Sequence, residues 1–237
     1  MIYKGEKMKI LKKVVLLIVG GALVLVGMIL AVFIGINSFQ RQPMFDIGKF
    51  IFLGGVIACP MILGTIIIIL SVKKENKRKI ILVAESVMLF MYVNIIFILV
   101  FGGFRIFQSG HNNQSILEYI KFNSNFIPFK TIYNYFSIYF AGHINMSIVI
   151  ENLLGNFMMF MPMGFLLPAI FKKQNNWFLF LATLASILLG IEVAQLIFRL
   201  GSFDIDDFIL NMAGACLIFA IIRKGIIKKF LNRMMLI

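Results

Sequence analysis

Acidic residues are scarce in this chain, with ten Asp and Glu among 237 residues against 23 Lys and Arg. Charged residues of both signs make up 14% of it, where a soluble domain carries about 25%. So few ionic groups cannot coat a water-facing surface, which excludes soluble enzymes and disordered tails. Cysteine is nearly missing as well. Cys59 and Cys216 stand alone inside apolar runs, so there is no disulfide framework and no metal-ligand spacing; each reads as a small core residue. The two histidines, His111 and His143, read as surface or interface residues, and Ser202 has no His partner nearby. No recognisable nucleophile motif, fixed-period repeat or low-complexity run is present. What the chain has is oil: 61% hydrophobic residues and a mean hydropathy of +0.97. The fold class this predicts is all-α, a polytopic integral membrane helical bundle.

A helix rises 1.5 Å per residue, so a hydrocarbon layer of about 30 Å needs about 20 residues. Six stretches meet that need: Val14–Ile36, Phe50–Val72, Ile80–Phe101, Ile148–Phe171, Trp177–Phe198 and the shorter Phe208–Ile222. The first follows basic residues as a signal peptide does, but its apolar run is too long and lacks a small-x-small exit, so it is expected to stay as an anchor. With the N-terminus in the cytoplasm, 17 Lys and Arg fall inside, and six fall outside: Arg41, Lys49, Arg105, Lys121, Lys130 and Arg199. The positive-inside rule therefore predicts an N-in, C-in topology, and the net charge of +13 needs no nucleic acid to explain it. The basic tail from Lys224 is expected to lie on the anionic inner leaflet. The long outer segment, Gly102 to Ser147, is rich in Phe, Tyr and Asn and is expected to form an interfacial or re-entrant piece. The organisation expected is a two-span hairpin with a basic loop (1–79), a four-span domain (80–222) and a basic tail (223–237).

A charge at mid-bilayer costs at least about 2.5–3.5 kcal/mol, so polar residues in the spans need a reason. Asn152 and Asn156 stand four apart, on one helical face. Gly155 between them permits close approach of a neighbour, and Pro162 is expected to kink the helix. Glu192 and Gln195 stand three apart, with Arg199 seven from Glu192 on the same face, so an intrahelical ladder is open to them, as is pairing of the buried acid with a residue on the fourth or sixth span. Asp204, Asp206 and Asp207 put three carboxylates within four residues. Asp204 is placed to cap the sixth helix, and anions are favoured at its N-terminus; that explains one or two acids better than three. Asp204, Asp207, Asn211 and Gly214 form one stripe, while Asp206 points elsewhere. Helix–helix hydrogen bonding, at about 0.6 kcal/mol per pair, accounts for any one of these residues. Their concentration in three neighbouring helices predicts an outward-facing pocket holding Asn152, Asn156, Glu192, Gln195, Arg199, Asp204, Asp206, Asp207 and Asn211. Glu85 in the third span is a further lone acid, open to a role as a proton site but read as pairing with a neighbouring helix near the inner interface.

The same residues carry a resemblance. Asn125-Phe-Ile-Pro128-Phe129, then Asn152-x3-Asn156-x3-Phe160-x-Pro162-x-Gly164-x2-Leu167-Pro168, then Glu192-x2-Gln195, then Asp204-Ile-Asp206-Asp207-x3-Asn211-x2-Gly214 resemble the VanZ-like family from about residue 80 to 222. Pro128, Gly155, Phe160, Pro162, Gly164, Pro168 and Gly214 belong to this pattern as structural positions. Many relatives carry a basic residue close before the Asp run, for which Arg199 is the candidate here. The resemblance implies a multi-pass protein of the bacterial cell membrane. The family's namesake belongs to a glycopeptide-resistance gene cluster and is associated with lowered susceptibility to teicoplanin, a lipid-tailed glycopeptide.

Three functions follow as expectations. The first is binding of a lipid-linked or lipid-tailed envelope ligand at the outer leaflet, with the bilayer as the other partner and no nucleic acid. The second is an intramembrane enzyme on an envelope lipid, its carboxylates holding a divalent cation or supplying a base; no nucleophile motif supports it, the reading leans away from an enzyme, and no cofactor is expected beyond such a cation at the Asp cluster. The third is a small ion-coupled transporter using Glu192 and Glu151, which the lack of inverted repeats makes less attractive.

Overall fold

The computed structural model of the chain describes residues 2–40, 47–101 and 115–233; Arg41, Arg105 and His111 lie outside the described residues. It is nearly all helical, as a chain must be where no water is available to bond its backbone. Three long helices come first: α1 (Ile2–Gln40), α2 (Ile47–Ser71) and α3 (Lys74–Phe101). Two short helices follow, α4 (Ile116–Phe122) and α5 (Lys130–Phe140), then α6 (Met146–Met159), α7 (Met163–Ile170), α8 (Trp177–Ile197), α9 (Ile205–Ile222) and α10 (Gly225–Arg233). Five of the expected spans are helices long and apolar enough to cross a membrane: Ile10–Leu30, Glu75–Phe97, Met146–Ile170, Trp177–Ile197 and Ile205–Ile222. The remaining one falls on α2, a helix of 25 residues.

Two boundaries differ from expectation. Pro162 does more than kink its span: the chain turns at residues 160–162, with Met163 N–H bonding Phe160 O at 3.1 Å, and restarts as α7. Proline lacks the N–H that would carry the ladder through, and it sits where a new helix needs none. The last span begins at Ile205 rather than Phe208, so Asp206 and Asp207 fall in the first turn of α9. Asp204 is its N-cap, accepting from Asp206 N–H at 2.9 Å.

The core lies among α3, the α6–α7 pair, α8 and α9. Phe160, Phe180, Leu184, Ala215 and Phe219 are all but fully buried there. Phe180 and Phe219 stack at 4.0 Å, and Trp177 meets Phe219 edge-on at 4.6 Å. Helices in lipid pack through small residues, and two glycines show why here. A Cβ at Gly214 would run into the Phe157 carbonyl, and one at Gly164 into the Ala215 carbonyl. α9 thus lies backbone to backbone against both halves of the broken span. The α1–α2 pair repeats the device with Gly20 and Gly64 and meets α3 through a smaller cluster centred on Met61.

The bundle's two ends are chemically opposite. One carries the α2–α3 and α7–α8 turns and the start of α10. There Arg78 donates to the Ala169 carbonyl at 2.7 Å, close to the C-terminus of α7, and lies 3.5 Å from Glu85. Glu85 therefore pairs on its own helix, two turns along, and not with a neighbouring helix. Arg223 donates to the Asn175 carbonyl and sits 4.9 Å over the Phe219 ring. Cations at helix C-terminal carbonyls complement the negative end of the dipole.

Candidate functional site

At the other end, α8 stops in a left-handed turn. Arg199 has φ +54°, Arg199 N–H bonds Leu196 O at 3.2 Å and Leu200 N–H bonds Gln195 O at 2.8 Å. This double closure is the one that usually uses glycine. The turn carries the Arg199 guanidinium 5.7 Å over the Tyr119 ring, while Tyr119 OH donates to Gly201 O at 2.9 Å. The chain then forms β2 (Phe203–Asp204), parallel to β1 (Ser124–Asn125), with Ser124 opposite Phe203 and Asn125 opposite Asp204. The outer segment is thereby joined to the start of α9.

Two of the three aspartates complete that joint. Asp204 Oδ1 accepts from Asn125 Nδ2 at 3.0 Å and Oδ2 from Thr131 Oγ1 at 2.5 Å, besides capping α9. Asp206 is fully buried. Its Oδ1 accepts from Phe129 N–H at 2.5 Å, and its Oδ2 from Thr131 N–H at 2.7 Å and Ile132 N–H at 3.2 Å. These are donors at the start of α5, which has no side-chain cap of its own. An acid on one helix thus caps another, 75 residues away at Thr131. Four N-terminal N–H groups of any helix lack intrahelical partners, and a carboxylate satisfies them with charge-assisted bonds.

Asp207 turns the opposite way. Asn156 Nδ2 donates to its Oδ1, and both residues line a partly open cavity of about 300 Å³ between α6, α8 and α9. Glu151, Asn152, Glu192, Gln195, Ser202 and Asn211 line it too, with Val100, Phe160, Leu188 and Ile191 as an apolar wall. Glu192 is buried and its Oε2 accepts from Asp204 N–H at 3.1 Å. Gln195 reaches away to the Val100 carbonyl at 3.3 Å, so these two do not bond each other in a ladder. Asn211 is 6% exposed, and its Oδ1 is buried without a hydrogen-bond partner.

Six of the nine expected pocket residues therefore line one cavity: Asn152, Asn156, Glu192, Gln195, Asp207 and Asn211. Arg199, Asp204 and Asp206 are not among its lining residues. Arg199 is drawn off by the left-handed turn, and the two aspartates are spent on the outer segment. The Asp run accordingly does not gather into a cation site, and among the described residues no group of three or more His, Cys, Asp or Glu could hold a metal ion. Asn152 is exposed at the cavity edge, its amide donating to Ile148 O of its own helix at 2.7 Å. Of the expected structural positions, Gly155 is buried in the lining, Pro168 is buried within α7, and Pro128 is exposed in the turn before α5.

Sequence reasoning missed Thr131 and Tyr135. Both stand in the aromatic outer segment, where composition reads as membrane interface. Only the 0, 4 spacing of Thr131 and Tyr135 on one face of α5 hinted at a joint task. Burial raises the Tyr135 phenol pKa above its usual value, and the nearby Asp207 and Asp204 carboxylates push it further the same way.

No curated protein and no solved structure matches the chain. The sequence profile of the VanZ/LLP1 family matches residues 88–228, a stretch that contains α4 to α9, both short strands and every cavity residue. With that match over more than half of its length, the chain belongs to the VanZ/LLP1 family.

Proposed function

We propose that the protein binds the polar head of a lipid-linked or lipid-tailed envelope ligand at the outer leaflet of a bacterial cell membrane. The observation that carries this is the cavity between α6, α8 and α9. It brings Glu192, Asp207, Asn156 and Asn211 together beside an apolar wall of Val100, Phe160 and Leu188. Ligand sites have that make-up: mostly apolar, with a few convergent polar groups. Ionisable residues inside a membrane protein mark function more often than structure. The basic end of the bundle faces the cytoplasm under the positive-inside rule, which puts the cavity in the outer half. Phe122, Phe126, Phe129, Tyr133 and Phe140, all exposed, then sit at the outer membrane–water interface. Residues 80–222 form the binding unit, and the α1–α2 hairpin is an added anchor.

Occupancy of such a site by a glycopeptide's lipid tail and adjoining head keeps the drug from its membrane-held target, which is the route by which the protein would protect against teicoplanin. The test uses a strain in which the wild-type chain raises teicoplanin tolerance. Alanine at Asp207 or Glu192 should remove that protection at unchanged protein level in the membrane. Full protection by both variants would sink the reading.

A further inference from the structure

The charged groups of the cavity lining are all hydrogen-bond acceptors. Glu151, Glu192 and Asp207 bring carboxylates to its lining, which contains no Lys, Arg or His. Three of its four amides already spend an N–H group on the protein: Asn156 on Asp207, Gln195 on the Val100 carbonyl and Asn152 on the Ile148 carbonyl. The Asn211 oxygen, in a side chain more than nine-tenths buried, has no donor at all. A buried acceptor left unpaired is costly, and a ligand donor relieves it.

The positive end of α9 would favour an anion, but Asp204 caps it at the Asp206 N–H and Asp207, in its first turn, already brings a carboxylate to the cavity. A phosphate or carboxylate in the cavity would meet three carboxylates and no cationic side chain. An ammonium offers three donors and no acceptor, and each of its bonds to a carboxylate is charge-assisted.

We infer that the cavity takes a head group bearing a primary ammonium, carried on a lipid or a lipid-tailed molecule. This rests on the binding reading above and narrows it. The apolar wall takes the first atoms of the tail, and the acceptors close on the nitrogen.

Native mass spectrometry of the full chain in detergent, offered equal amounts of four lipids, tests this. The lipids are phosphatidylethanolamine, phosphatidylcholine, phosphatidylglycerol and a glucosyl diacylglycerol. The primary amine should be retained about tenfold over phosphatidylglycerol, the ratio that one charge-assisted hydrogen bond sets. It should also exceed phosphatidylcholine, whose methylated nitrogen has no N–H, and free ethanolamine should displace it. Asp207→Asn should reduce the preference. Glu151→Lys, at a half-buried position on the lining, should shift retention to phosphatidylglycerol even if Asp207→Asn fails to fold. A preference for the glucosyl or glycerol head overturns the ammonium. Equal retention of all four lipids, lost in Asp207→Asn, overturns the ammonium and leaves head-group binding standing. Retention that neither variant alters overturns both.

Discussion

Asp206 and Asp207 are neighbours in sequence and opposites in use. Asp206 is fully buried, and its two oxygens accept three backbone N–H groups at the start of α5. Asp207 has one amide partner and faces a cavity. Adjacent residues on a helix lie about 100° apart, so one side chain is sent to the outer segment and the other to the gap between α6 and α8. Acid count therefore says little about function at this end of the bundle. What separates a fastener from a site is whether every oxygen already has a donor.

Substitutions can widen or erase that contrast. Asp206→Ala strands three backbone donors, and about 3 kcal/mol of stability should go with it, seen as earlier thermal unfolding of the purified protein in detergent. An unchanged transition would mean that α5 is held by something else. Arg78→Gln is next: it strips the buried Glu85 of its ion pair and Ala169 O of its donor, with a loss of about 2 kcal/mol by the same assay, partly restored by adding Glu85→Gln. Gly214→Ala forces a methyl against the Phe157 carbonyl and should cost about 1–2 kcal/mol while leaving the polar lining in place. Asp207→Asn keeps the partner amide and should move stability by less than about 1 kcal/mol, yet remove ligand-linked protection. If it unfolds the protein as Asp206→Ala does, the contrast between the two residues is void.

The smallest effect is in alkaline solution. The raised Tyr135 pKa means that the folded chain holds this proton where the unfolded chain has lost it. Stability linked to Tyr135 is thus complete below the ordinary phenol value of about 10 and falls as pH climbs through the raised one. Tyr135→Phe should flatten that alkaline decline, and absorbance titration should show one late tyrosine vanish.

Much of this architecture is legible in residue order. Spans follow from apolar runs of about 20 residues, because length and hydropathy are local properties. The expected stripe of Asp204, Asp207, Asn211 and Gly214 is one face of α9, since helical period needs no tertiary information. Its members then part company: Asp204 caps, Asp207 and Asn211 line the cavity, and Gly214 packs on Phe157. What a helical wheel cannot supply is the partner 73 or more residues away. Asn125 and Thr131 decide the fate of Asp204 and Asp206, and nothing in the Asp run announces them. Arg199 misled for a related reason. Its spacing from Glu192 assumes that the helix continues, whereas a left-handed turn at φ +54° rotates the side chain off that face.

The short parallel pairing of Ser124–Asn125 with Phe203–Asp204 has a consequence in time. A ribosome makes residues in order, at about 5–20 per second. The outer segment leaves it with the start of α5 uncapped and waits until the following two spans and the next turn have been made. Phe129 N–H meets its acceptor only after 77 more residues, roughly 4–15 seconds later at that pace. The outer end of the bundle therefore cannot close before the Asp204–Asp206 turn, its clasp, has been made.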